Sequence, residues 1–188
     1  MQHVSLMAGS SNAEKLELVA QSIRSFPDFP SKGILFWDIC PILKDPRTLT
    51  AVTDLFEEHV RKNFPQVELI VGLDARGFLF GPLLSQRLGI GFALVRKKGK
   101  LPGPTVGVAY DLEYGKAEAE IQADAVAPGQ KVLIIDDLLA TGGTLFAACE
   151  LMKEQKAEVL GCLVVIELKE LKGAERLKPN SVYSLVQH

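Results

Sequence analysis

Residues Lys131 to Leu145, KVLIIDDLLATGGTL, narrow the possible folds more than any other stretch of the chain. Val132 to Ile135 form an apolar, β-branched-rich run without period-two polarity, the pattern of a strand buried on both faces. Two carboxylates follow, then a Thr-Gly-Gly-Thr turn, after which Phe146, Ala147, Cys149, Glu150 and Leu151 continue at helical spacing. The turn therefore joins a strand to a helix N-terminus. There the first N–H groups lack intrahelical partners and carry the positive end of the helix dipole. Gly142 and Gly143 let a ligand approach the backbone closely, and Thr141 and Thr144 add hydroxyl donors.

This turn holds no Lys or Arg, so a phosphate there is held by neutral donors. Asp136 and Asp137, at the carboxyl end of the strand, suit vicinal sugar hydroxyls or a divalent cation. As a whole the stretch fits a ribose 5-phosphate: TGGT by itself reads first as the start of a capped helix, and the two carboxylates directly ahead of it shift the reading toward function. A Walker A loop is excluded because Gly-Lys-Ser/Thr does not occur, and no dinucleotide fingerprint is present.

Other segments extend the alternation. Ser11-Asn12-Ala13-Glu14 has the form of a capping box, with Leu16, Val19, Ala20 and Ile23 on one helical face. Asp45-Pro46 starts a second helix whose apolar face carries Val52, Leu55, Phe56 and Val60. Leu69 to Gly72 predicts a strand, Phe78 to Leu88 a helix stopped by Gly89, and Phe92 to Val95 a strand; Thr144 to Gln155 predicts a helix and Val159 to Ile166 a strand. Continuous apolar strands between helices predict an α/β fold, a parallel sheet with helices on both faces. A length of 188 residues at 47% hydrophobic content supports one domain with a sizeable core.

The formal net charge of -2 gives no general pull toward nucleic acid or membrane. Cys40, Cys149 and Cys162 show no CxxC pairing, and His3, His59 and His188 are scattered, so no metal-ligand cluster is expected. The longest apolar stretch, Val159 to Ile166, is too short to span a bilayer, and a cytoplasmic location with reduced thiols is the expectation.

Arg96 to Pro104, RKKGKLPGP, is basic and loop-like, and Glu118, Glu120 and Gln122 then alternate with Ala117, Ala119 and Ile121 as in a solvent-facing hairpin arm. Such a run is either a solvated turn or a screen for a polyanion. Leu69 to Phe78 forms a second strand, turn and helix start, with Arg76 in the turn. Arg76 either forks onto phosphate oxygens or pairs with Asp74. One neutral, sugar-oriented turn and one cationic turn imply a ligand with phosphates at both ends of a ribose, as in phosphoribosyl pyrophosphate.

The stretches FPDFPSKGILFWDI (Phe26 to Ile39), GLDARGFLFGP (Gly72 to Pro82), RKKGKLPGPT (Arg96 to Thr105), LEYGKAEAEIQ (Leu112 to Gln122) and VLIIDDLLATGGT (Val132 to Thr144) resemble the adenine phosphoribosyltransferases, which have the type I phosphoribosyltransferase fold. The resemblance runs from about Phe26 to near the C-terminus. It implies one domain, with a small base-binding hood at about residues 26–40 and a flexible hairpin lid at about 96–123. It implies transfer of the phosphoribosyl group to adenine N9, with AMP and pyrophosphate as products, Mg²⁺ arriving on the substrate, and a homodimer.

Carried over residue by residue, the resemblance puts Asp136 and Asp137 at the ribose hydroxyls, and Ala140, Thr141, Gly142, Gly143 and Thr144 around the 5-phosphate. Asp74, Ala75 and Arg76 form a pyrophosphate loop with a cis peptide between Asp74 and Ala75, and Arg96, Lys97 and Lys100 add positive charge, partly across the dimer interface. The lid brings in Glu113, as the acid-base group, and Tyr114. Phe36 stacks on the base beside the Ile34 to Trp37 backbone, and Leu168 closes the other side. Trp37 stands where many relatives carry Arg. Two other readings share the motifs: an enzyme for a 6-oxopurine or orotate, and a non-enzymatic regulator that binds phosphoribosyl pyrophosphate. The regulator needs a DNA-binding module, and the segment ahead of Phe26 has no basic helix-turn-helix pattern.

Overall fold

The computed structural model describes residues 10–112 and 115–188, and the side chains of all of these except 111, 112 and 115–117. Contacts separate the chain into two compact units, Met1–Glu58 and His59–His188. In the first unit, helix α1 (Asn12–Gln21) starts with the predicted capping box: the Ser11 side chain accepts from the Glu14 N–H and Glu14 reaches back to the Ser11 N–H. Strands β1 (Arg24–Pro27) and β2 (Leu35–Asp38) then form an antiparallel hairpin in which Phe26 faces Phe36 and Ser25 faces Trp37. Arg24 closes its end on Asp38, whose carboxyl is lowered to about 2, chiefly by hydrogen bonds from Cys40. A short helix α2 (Cys40–Lys44) precedes α3 (Pro46–Asn63). Asp45 accepts from the Arg47 N–H and the Thr48 hydroxyl, and so caps α3 ahead of Pro46, where a missing N–H does no harm.

The second unit is a seven-stranded sheet in the order β5-β6-β4-β3-β7-β8-β9. Strands β3 (Leu69–Leu73), β4 (Gly91–Lys97), β7 (Lys131–Leu139), β8 (Glu158–Glu167) and β9 (Val182–Gln187) pair in parallel, while β5 (Thr105–Leu112) and β6 (Gly115–Gln122) form an antiparallel hairpin attached to β4. The sheet is therefore mostly parallel, with the sequence-expected hairpin completing one edge. Helices α4 (Gly77–Leu88) and α5 (Gly143–Glu154) cover opposite faces. Val71, Val132 and Ile134 pack with Leu145, Ala148 and Met152 of α5, whereas Gly72 lies under Phe78 of α4 and Phe92. A Cβ on Gly72 or Gly81 would meet the Phe92 ring at 2.4 or 2.1 Å, so both glycines make room for one aromatic wedge. Gly89 ends α4 in the left-handed conformation with φ 71°, as its position predicts.

β7 is longer than the apolar run suggests. Asp136 and Asp137 lie inside the strand, with Asp136 paired to Val164 and Leu139 to Glu167 on β8. Beyond β8, a 3-10 turn (Lys169–Leu171) and helix α6 (Gly173–Arg176) lead to β9. No helix among the described residues is long and apolar enough to cross a membrane.

Candidate active site

Parallel pairing sets the site. Leu69 pairs with Val132 and Gly72 with Ile135, so the turn after β3 and the acidic pair of β7 leave neighbouring strands at the same end of the sheet. Asp74, Ala75, Arg76 and every residue from Asp136 to Leu145 line one cavity of about 280 Å³. The structure thus brings together both predicted strand-to-helix turns.

Consecutive residues of a strand set their Cβ atoms on opposite faces, and the two acids differ accordingly. Asp137 is only 3% exposed. Arg76 Nε stands 2.8 Å from its Oδ2, an ion pair by distance, yet no N–H is directed along it as a hydrogen bond and this buried oxygen lacks one. Asp136 is partly open to the cavity, and its Oδ1 accepts from the Asp137 N–H at 2.8 Å. Burial pushes the Asp136 carboxyl well above the ordinary carboxylate range, and the adjacent Asp137 charge adds to this. Asp137 is raised as well, again by burial, with the Arg76 guanidinium pulling the other way.

Arg76 thus stands against Asp137, while Asp74 faces another cation. That carboxylate belongs to Arg96, whose Nε donates to Asp74 Oδ2 at 2.9 Å from the end of β4. The Asp74–Ala75 peptide is cis, as expected. Arg76 precedes α4, and Gly77 packs so closely on β7 that a Cβ would lie 2.5 Å from the Ile135 carbonyl oxygen, immediately before Asp136. Gly77→Ala is accordingly expected to cost about 1–3 kcal/mol through overpacking, while also displacing Arg76 from Asp137. Urea unfolding and steady-state kinetics on the same variant check both effects.

The second turn is built around Gly142, which takes φ 82° and caps α5 with no side-chain bond to the first-turn amides. Its open N–H groups face the cavity end of the helix. From outside, Gly173 supports this turn: a Cβ there would meet the Ala140 oxygen at 2.2 Å and the Gly142 nitrogen at 3.0 Å. Neither Gly77 nor Gly173 is legible as a site residue, because only the folded backbone reveals what each one touches.

The chain matches the phosphoribosyl transferase domain family over residues 41–187. It is 57% identical over 175 residues to adenine phosphoribosyltransferase of Mus musculus, covering 93% of this chain and 97% of that one. The chain belongs to the adenine phosphoribosyltransferases. Among solved structures of that family, the Saccharomyces cerevisiae enzyme complexed with D-2,5-dideoxy-2,5-imino-altritol 1,6-bisphosphate and adenine superposes with a TM-score of 0.89 at 42% identity, covering 92% of this chain and 99% of that one. The Trypanosoma brucei enzyme, in complex with AMP, pyrophosphate and ribose-5-phosphate, gives a TM-score of 0.82 at 26% identity over 97% of this chain and 82% of that one.

Among the described residues, the other sequence-predicted positions fall outside the cavity lining. Arg96 and Lys97 end β4, and Lys100 lies in the following turn with its side chain exposed. Leu168 follows β8 and donates its N–H to the Leu139 oxygen at 2.9 Å, beside the cavity wall. Ile34, Phe36 and Trp37 belong to the β1–β2 hairpin of the first unit, where Phe29 meets Phe36 edge-on with ring centroids 5.0 Å apart. Phe26, Phe29, Ile34 and Leu35 on this hairpin are all exposed, although large and apolar. Glu113 and Tyr114 lie outside the described residues.

Proposed function

We propose that this protein transfers the 5-phosphoribosyl group of phosphoribosyl pyrophosphate to N9 of adenine, releasing pyrophosphate and forming AMP. One observation carries the reading: the acidic pair, a glycine turn with open amides and an arginine-bearing turn line a single cavity. Its dimensions and donors suit a phosphorylated ribose, and the family's solved complexes with adenine, AMP and ribose-5-phosphate point the same way.

In this reading the amides and hydroxyls of Ala140 to Thr144 hold the 5-phosphate at the positive end of α5. A ribose hydroxyl supplies Asp137 Oδ2 with the hydrogen bond it lacks, and Asp136 takes another. Arg76, Arg96, Lys97 and Lys100 face the pyrophosphate, which arrives with Mg²⁺ as part of the substrate. Displacement at the anomeric carbon separates charge: the sugar becomes oxocarbenium-like as the leaving group gains negative charge. Carboxylates fixed on one side and cations on the other stabilise that separation. Glu113 relieves adenine of its proton, and Tyr114 and Leu168 help to enclose the site. We place the enzyme in the cytoplasm as a homodimer, with residues 26–40 as base-binding hood and 96–123 as lid of one phosphoribosyltransferase domain.

Phe36 stacks on the base, and the backbone from Ile34 to Trp37 reads its edge. Adenine offers an amino donor beside a ring acceptor, whereas a 6-oxopurine reverses the two. A mismatched base leaves two buried polar groups unpaired at roughly 1–3 kcal/mol each, so adenine is favoured by about 10²-fold or more over hypoxanthine and guanine. Competition assays with the three bases test this. Comparable catalytic efficiency with hypoxanthine overturns the adenine assignment and leaves phosphoribosyl transfer standing.

A further inference from the structure

The residues read from sequence as the solvent-facing side of a hairpin arm do something else. Glu118, Glu120 and Gln122 alternate on β6 with Ala119 and Ile121, which enter the core. The basic turn after β4 folds back over their polar face and is held at three points. Lys98 Nζ meets Glu118 Oε2 at 2.6 Å, and Gln122 Nε2 donates to the Pro102 oxygen at 3.2 Å. Between them Glu120, only 5% exposed, accepts the N–H groups of Lys100 and Leu101 on Oε1 at 2.9 and 3.0 Å, and the Thr105 hydroxyl on Oε2 at 3.3 Å.

A buried carboxylate beside a site for a polyanion is unfavourable unless its charge is committed elsewhere. Here it is committed to consecutive backbone amides. Burial raises the Glu120 carboxyl, but the hydrogen bonds from Leu101, Gly99, Lys100 and Thr105 outweigh burial and hold it below its ordinary value. The held segment is also linked to the cavity lining. Arg96 Nη1 donates to the Lys100 oxygen at 3.4 Å, and Arg96 Nε donates to Asp74 of the arginine-bearing turn. A connected path thus runs from Glu120 through the backbone of Lys100 and through Arg96 to Asp74.

We propose that Glu120 is a positioning residue for pyrophosphate recognition: from beneath the basic turn it fixes the backbone of Lys100, and through it Arg96, so that both cations stand ready for the substrate's pyrophosphate. This rests on the phosphoribosyl pyrophosphate reading above. Glu120 touches no substrate atom; it sets where the cations stand.

The test is steady-state kinetics on the full-length enzyme with phosphoribosyl pyrophosphate and adenine varied separately. Glu120→Ala is expected to raise KM for phosphoribosyl pyrophosphate by about 10- to 100-fold, the scale of a displaced positioning group, with KM for adenine unchanged. Glu120→Gln, which keeps an acceptor for both amides, is expected to restore the wild-type value. Lys100→Ala is expected to raise the same KM, and adding Glu120→Ala to it is expected to cost less than Glu120→Ala alone, since part of the effect passes through Lys100. A wild-type KM for phosphoribosyl pyrophosphate in Glu120→Ala, an equal rise for both substrates, or full additivity with Lys100→Ala overturns the proposal. A silent Lys100→Ala removes the basic turn from the site, and the pyrophosphate part of the parent reading falls with the proposal. If Glu120→Ala fails to fold, Thr105→Val takes its place, with a smaller rise in the same KM expected; no rise counts against Glu120.

Discussion

Asp136→Asn is expected to remove about two to three orders of magnitude from turnover, the loss typical of one preorganised electrostatic group, without loosening the fold. The stability half of this result follows from burial. The Asp136 carboxyl is raised in the folded chain, so the unfolded chain gives up its proton first as pH increases. The stability this group contributes is thus fully present below the ordinary carboxylate range and is lost as pH climbs from there through the raised folded value. An amide carries no such burden. Asp136→Asn should match or exceed wild type in urea midpoint at pH 7, with the difference shrinking toward pH 3; a variant destabilised at pH 7 contradicts the assignment of Asp136 as a charge held against its own stability. Asp137→Asn behaves differently, because it removes a charge that faces the Arg76 guanidinium at 2.8 Å. It should lose turnover to a similar extent, and its gain in urea midpoint at pH 7 should be smaller than that of Asp136→Asn, because the Arg76 guanidinium offsets part of the burial.

Glu113→Gln is expected to lose about 10²–10⁴ in the chemical step while both substrates still bind, the range typical of a positioned acid or base. Single-turnover measurements beside equilibrium binding separate these effects. Unchanged chemistry would strip Glu113 of the acid-base role. A loss confined to binding would make it a recognition group.

Much of this architecture is legible in the sequence because local rules and the fold agree. The capping box at Ser11, the Asp45-Pro46 start and the Gly89 stop each act within one helical turn, and each appears where the residues predict. Apolar runs mark β3, β7 and β8 because strands buried on both faces tolerate little else. The acids that extend β7 hide its true length, since polarity at a strand end reads as a loop. β1, β2 and β9 go unseen for a related reason: short strands interrupted by Pro27 or carrying Ser184 and Gln187 lack a strong period.

Within the site, composition identifies the players and the fold assigns the partners. Arg76 stands against Asp137 across two strands, because the β3–β7 register sets the two turns side by side. Glu120 shows the same limit. Alternation says which face of β6 it occupies, but the turn that covers this face precedes β5, and only the β5–β6 register brings it beside Glu120. The glycines at 77 and 173 matter through backbone oxygens that no sequence pattern encodes.

A crystal structure with AMP bound tests the central claim most directly. The account predicts the phosphate within hydrogen-bond reach of the amides from Ala140 to Thr144 and both ribose hydroxyls on the Asp136–Asp137 pair, one of them donating to Asp137 Oδ2. A phosphate seated instead at the Asp74 to Arg76 turn, with the ribose hydroxyls away from both acids, would contradict it.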